Sequence, residues 1–158
     1  MAYQKLQTSR ALKVFATDNI DAYPDPSRVA TSGTNASVTS NKLVASGTSF
    51  TTTVETGYIV ENSTDGSYAI VTALDNDTTL TLSADIFTGT SKAYIIYSQE
   101  ARESCIIFVG TAGDVNLVTA GQDTVLFKNI ANASFLPVQA KVIKATGTAT
   151  AADFIALW

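Results

Sequence analysis

Val138-Gln139-Ala140-Lys141-Val142 sets an apolar side chain at every second position with a polar one between. Successive side chains of an extended chain point to opposite faces, so this spacing predicts a strand with one dry and one wet face. The same period recurs upstream, where Leu80 and Leu82 alternate with Thr79 and Thr81, and Val115 and Leu117 flank Asn116. Gly, Asn and Asp collect between such runs, in Ser63-Thr64-Asp65-Gly66, Asp75-Asn76-Asp77, Gly110 to Asp114 and Ala120-Gly121-Gln122-Asp123. These residues accept positive φ and close hairpins. Many short strands with such turns predict an all-β chain, either a β-sandwich of jelly-roll or Ig-like kind or a barrel. Weak helical signals lie at Gln99 to Ser104 and in a single turn near Ala149 to Asp153.

Two seams interrupt the pattern. Arg28 to Asn41 is poor in large apolar side chains and rich in Thr, Ser, Asn and Gly, as a connector or edge hairpin would be. Ser98 to Glu103 is charged and precedes the apolar run Cys105 to Val109. The first strand-like run, Ala11 to Phe15, stands alone because Pro24 and Pro26 follow it. It needs a partner, and the C-terminal set from Cys105 to Trp158 supplies one. The expected organisation is a discontinuous β-sandwich domain, residues 1–28 and 101–158, with an inserted small β-barrel or hairpin module at 29–100.

The chain has 158 residues, 46% of them hydrophobic, enough for one sizeable core or two small ones, and only 15% are charged. Its net charge of −4 argues against a nucleic-acid partner, which needs a basic patch. Lys5, Arg10 and Lys13 come closest, and they read as solvated positions along one alternating segment. No run of ~18 apolar residues and no leader-like apolar core occur, so neither a membrane span nor export is expected, and synthesis in a cytoplasm is. Four Asn-x-Ser/Thr triplets, beginning at Asn35, Asn62, Asn76 and Asn132, then read as turn-rich polar sequence.

Histidine is absent, which removes the usual general base and the commonest zinc ligand. The single Cys105 allows no intrachain disulfide and is expected in the core. Asp18, Asp21 and Asp25 could line a Ca²⁺ site, as could Asp75 and Asp77, but neither set has EF-hand spacing and both are expected to serve turns, as is Asp65. Gly110-Thr111-Ala112-Gly113-Asp114 lacks the Lys-Ser/Thr of a phosphate loop. Trp158 extends the row of Phe154 and Ala156 and is expected to be buried. Tyr58, Tyr68, Tyr94 and Tyr97 fit a core and an interface equally well. No catalytic, cofactor-binding or metal-ligating residue is assigned, and no enzyme activity is expected.

Phe108 to Val115, Gly121 to Ile130, Leu136-Pro137-Val138, Ala145 to Thr148 and Ile155 to Trp158, in this order, resemble the spike-base family of phage-like particles, found on the heads of gene transfer agents and in phage structural operons. Thr8 to Leu12 and Thr17-Asp18-Asn19 resemble that family's first strand and loop. Gly57 to Gly66 with Thr78 to Phe87 resembles a small β-module inserted in many virion proteins. The resemblance implies a capsid-docking β-sandwich that supports a fibre or spike, without cofactor or catalysis. Its implied partners are the major capsid protein or other virion proteins, a spike or fibre protein, and further copies of itself as a trimer or pentamer, with neither nucleic acid nor membrane. The implied location is the virion, assembled in the host cytoplasm. Two other readings remain, a tail or baseplate adaptor and a carbohydrate-binding module that uses exposed tyrosines and Trp158.

Overall fold

The computed structural model describes residues 8–98 and 104–158. The described residues form antiparallel sheets and one four-residue helix, an all-β chain in which no sheet closes into a barrel. The chain divides into two units, Met1–Ala16 with Glu103–Trp158, and Thr17–Arg102. The first seam therefore falls after Ala16 rather than at residue 28. Tyr23, buried, packs its ring against Tyr68 with centroids 5.9 Å apart, which ties the Pro-bearing loop to the inserted unit.

The discontinuous unit contains two sheets. In the first, β1 (Ala11–Val14), β13 (Ala152–Leu157), β8 (Ile106–Thr111) and β11 (Ser134–Phe135) lie side by side in that order. The opening strand finds its partner at the far end of the chain, Val14 opposite Phe154 and Leu12 opposite Ala156. In the second, β9 (Gly113–Thr119) runs between β10 (Thr124–Ile130) and β12 (Ala140–Ile143). Alternation sends Ile107, Val109, Phe154 and Ala156 to the dry face of the first sheet, and Val115 and Leu117 to that of the second. All six are buried. The sheets are joined where Cys105 and Ala140 exchange main-chain hydrogen bonds of 2.8 Å in both directions.

Two sequence expectations change here. Gly110 to Asp114 does not close a hairpin, because β8 and β9 pair with different strands; the chain passes from one sheet to the other. Gly113 makes the passage, since a Cβ on it would stand 2.2 Å from the Ala151 nitrogen and 2.3 Å from the Ala149 oxygen. The segment from Ala149 is not a helical turn: Ala149 and Thr150 bridge to Asp114, and β13 begins at Ala152. Of the other helical signal, Gln99 to Glu103 lies outside the described residues.

The inserted unit is an open six-stranded sheet rather than a barrel, in the order β2 (Val29–Thr34), β7 (Ala93–Tyr97), β4 (Ile59–Asn62), β5 (Ser67–Asn76), β6 (Thr79–Leu82) and β3 (Lys42–Val44). No ladder joins the outer strands β2 and β3, and a single bridge, Ser37 to Val44, connects the segment after β2 with β3. β5 serves two ladders, Ser67 to Ile70 with β4 and Val71 to Asn76 with β6, and register shifts accompany the second. On one face Val60, Ala69, Val71, Leu80, Leu82 and Ile96 form a core closed by Phe50 of the short helix α1 (Phe50–Thr53). All four residues of β4 are buried, so the sheet is covered on both faces at its centre.

Candidate interaction surface

Four of the acidic residues singled out above, Asp25, Asp65, Asp75 and Asp77, are engaged by neighbouring side chains and amides. Asp25 accepts from the Ser27 amide at 2.7 Å and stands 3.8 Å from the Arg28 guanidinium. Asp65 accepts from the amide and hydroxyl of Ser67 at 3.0 and 2.6 Å and from the Asn62 amide group at 3.0 Å, holding the β4–β5 turn. Asp75 accepts from the Lys42 ammonium at 2.5 Å and from the Thr81 hydroxyl, and the Lys42 hydrogen bond holds its carboxyl below the usual range. Asp77 accepts from the Thr51 hydroxyl and amide at the start of α1. Asp75 and Asp77, both at the turn end of the β5–β6 hairpin, thus engage different elements, β3 and β6 for Asp75 and α1 for Asp77. Among the described residues no group of His, Cys, Asp or Glu is placed to hold a metal ion, and no helix is long and apolar enough to cross a membrane.

Cys105 is buried, its thiol pushed up to about 12 by burial, and Sγ points to the Ala140 carbonyl at 3.4 Å. Such a thiol carries little nucleophilic thiolate at neutral pH. Tyr68, Tyr94 and Tyr97 are buried and Tyr58 is half-buried against the core, which withdraws three of the four from any stacking platform. Trp158 is half-buried rather than enclosed.

The structure adds a residue that sequence reasoning passed over. Glu61, only 6% exposed, shares a face of the inserted sheet with Tyr68, directly opposite, and Tyr97, on the diagonal. The Tyr97 hydroxyl donates to Glu61 Oε2 at 2.7 Å. Burial pushes the Glu61 carboxyl upward against the opposing pull of that hydrogen bond, and burial beside Glu61 drives the Tyr68 and Tyr97 phenols well above the ordinary tyrosine range. The trace in the sequence was a carboxylate directly after the apolar run Tyr58-Ile59-Val60. With Tyr68 wholly enclosed, the cluster offers no face to a reactant and acts as a polar clamp in the core.

Among the described residues, the exposed large apolar side chains Phe15, Val125, Leu126 and Phe135 lie on the discontinuous unit, and Val29 and Val38 on the inserted one. The register of the four-stranded sheet aligns Lys13, Ile155, Phe108 and Phe135 in one row across its outer face, and Ala11, Leu157 and Ile106 in the next. Phe135 is 55% exposed and meets Phe108 edge-on at 5.3 Å. A shallow groove of about 380 Å³ lies over β1 and β13, lined by Ala11, Lys13, Asp153, Phe154 and Ile155. On the other sheet, Thr124, Val125 and Leu126 of the outermost strand β10 are exposed in succession. A sheet face and a strand edge of this kind suit docking to another protein surface.

Comparison of the chain with protein families, with curated proteins and with solved structures finds no match.

Proposed function

We propose that this chain is a non-enzymatic structural protein of a tailed-phage virion or phage-like particle, decorating the capsid or forming the base of a head spike or fibre. The observation that carries the reading is a coincidence of place. The segments that resemble the spike-base family, Phe108 to Val115, Gly121 to Ile130 and Ile155 to Trp158, supply the strands of the unit that bears the apolar outer face and the open edge of β10. In this reading the two sheets of that unit form the jelly-roll or Ig-like sandwich of a docking domain. The apolar rows then meet the major capsid protein or another shell protein, and the carboxylates serve turns and a core clamp rather than chemistry.

Immunogold labelling of intact particles from the source of this chain tests the assignment. Gold over heads supports it, whereas gold confined to tails transfers the same docking surface to a tail or baseplate adaptor.

A further inference from the structure

β10 is the longest of the strands that end a sheet, seven residues against six in β2, four in β1 and β12, three in β3 and two in β11. The Thr119 amide donates to the Asp123 carbonyl at 2.9 Å, and this sets the phase of the β9–β10 ladder. Asp123, Val125 and Phe127 spend their main-chain groups on β9, so Thr124 and Leu126 aim theirs at the free edge. By the same register Val125 and Phe127 share the face of Leu117 and Val115, while Leu126 lies on the opposite face, beside Asn116.

We propose that this edge pairs with β10 of a second copy of the chain, antiparallel about a two-fold axis at Leu126. The strand is self-complementary about that residue. Leu126 of one copy opposes Leu126 of the other on the outer face, Val125 opposes Phe127 on the inner face, and Thr124 opposes Lys128. Each end is matched as well: Asp123 of one strand lies at the Lys128 end of the other, and the two lysines stand apart. A bulge between Phe127 and Ile130 confines the contact to Thr124 through Lys128. β2, the next longest edge, has one large apolar residue, Val29, at its extremity. Pairing through β10 joins two three-stranded sheets into one of six and covers Val125 and Leu126. The inference does not depend on where the chain sits in a particle, and it differs from the trimer or pentamer that the resemblance implies.

The test combines sedimentation equilibrium of the full chain with cysteine cross-linking. Opposed Cα atoms of a hydrogen-bonded antiparallel pair lie about 5.5 Å apart, inside the range of about 4.4–6.8 Å that a disulfide spans. Two copies of residue 124 are separated by four residues of strand rise, roughly 14 Å in all. Cys105 is buried and does not compete. The expected results are a mass of two 16.6 kDa protomers, a covalent dimer for Leu126→Cys on a non-reducing gel, and none for Thr124→Cys. Leu126→Lys, with an unchanged far-UV circular dichroism spectrum, should sediment as a single protomer. A single-protomer mass for the unmodified chain at every concentration, a mass of three or five protomers, or equal cross-linking at positions 124 and 126 would overturn the proposal. Head labelling of particles by a monomeric chain would sink this pairing and leave the virion assignment standing.

Discussion

The Tyr97 hydroxyl donates to Glu61 Oε2 at 2.7 Å, across neighbouring strands of the inserted unit and on the same buried face as Tyr68. Burial raises the Glu61 carboxyl above its usual 4.5, so the folded chain holds this proton more tightly than the unfolded chain does. The stability it contributes is fully present below the unfolded value and is lost as pH rises through the folded one. Glu61→Gln keeps an acceptor for Tyr97 and removes the buried charge. The expected outcome is a melting temperature for Glu61→Gln that gains on the parent chain as pH rises from about 4 to about 8. Parallel melting curves across that range would contradict the burial of this charge.

Removing the donor has the opposite consequence. Tyr97→Phe leaves the carboxylate without its hydrogen bond in a dry setting, and a loss of about 1–3 kcal/mol in urea titration is expected at neutral pH. The loss should shrink on acidification, when Glu61 becomes neutral.

Lys42 and Asp75 give the contrasting titration. Their contact of 2.5 Å is partly open to solvent, and the lysine holds the Asp75 carboxyl below its usual 3.8. A depressed carboxylate stabilises the fold above the unfolded value and stops doing so as pH falls through the folded one. Lys42→Met should therefore cost less than about 1 kcal/mol at neutral pH, with the difference vanishing in acid and diminishing in high salt. Denaturant titrations at neutral and acidic pH measure it.

Two glycines separate close approach from backbone preference. Gly47, at φ +72°, has nothing within 4 Å of an added Cβ, so Gly47→Ala is expected to cost about 1 kcal/mol from left-handed strain alone. At Gly113 an added Cβ meets main-chain atoms of Ala149 and Ala151 at 2.3 and 2.2 Å. Gly113→Ala should cost at least about 3 kcal/mol, since the backbone itself must move. Equal melting temperatures for the two variants would disprove the inter-sheet passage at Gly113.

Period and turn chemistry made part of this fold legible. Thr79 to Leu82 alternates in the structure as in the sequence, with Leu80 and Leu82 buried, and the lone opening strand does pair within the C-terminal set. The Val138–Val142 alternation was legible only in part: β12 begins at Ala140, and its ladder shifts register between Ala140 and Val142. Gly110 to Asp114 misled because a hairpin and a crossing between sheets use the same permissive residues, and the choice depends on which distant strands pair with β8 and β9. Glu61 was illegible for a similar reason. A carboxylate between an apolar run and a polar turn reads as the solvated end of a strand until Tyr68 and Tyr97, from separate strands, are seen to enclose it. The exposure of β10 follows from its place at the end of a sheet, which local sequence does not encode.

Cryo-electron microscopy of the intact particle tests the virion assignment most directly, with density for this chain sought at the capsid vertices and across the shell. The expected result is head density that accommodates the sheet of β1, β13, β8 and β11 with its Lys13–Ile155–Phe108–Phe135 row against a shell protein. Density on the tail alone, or a particle that lacks the chain altogether, would contradict it.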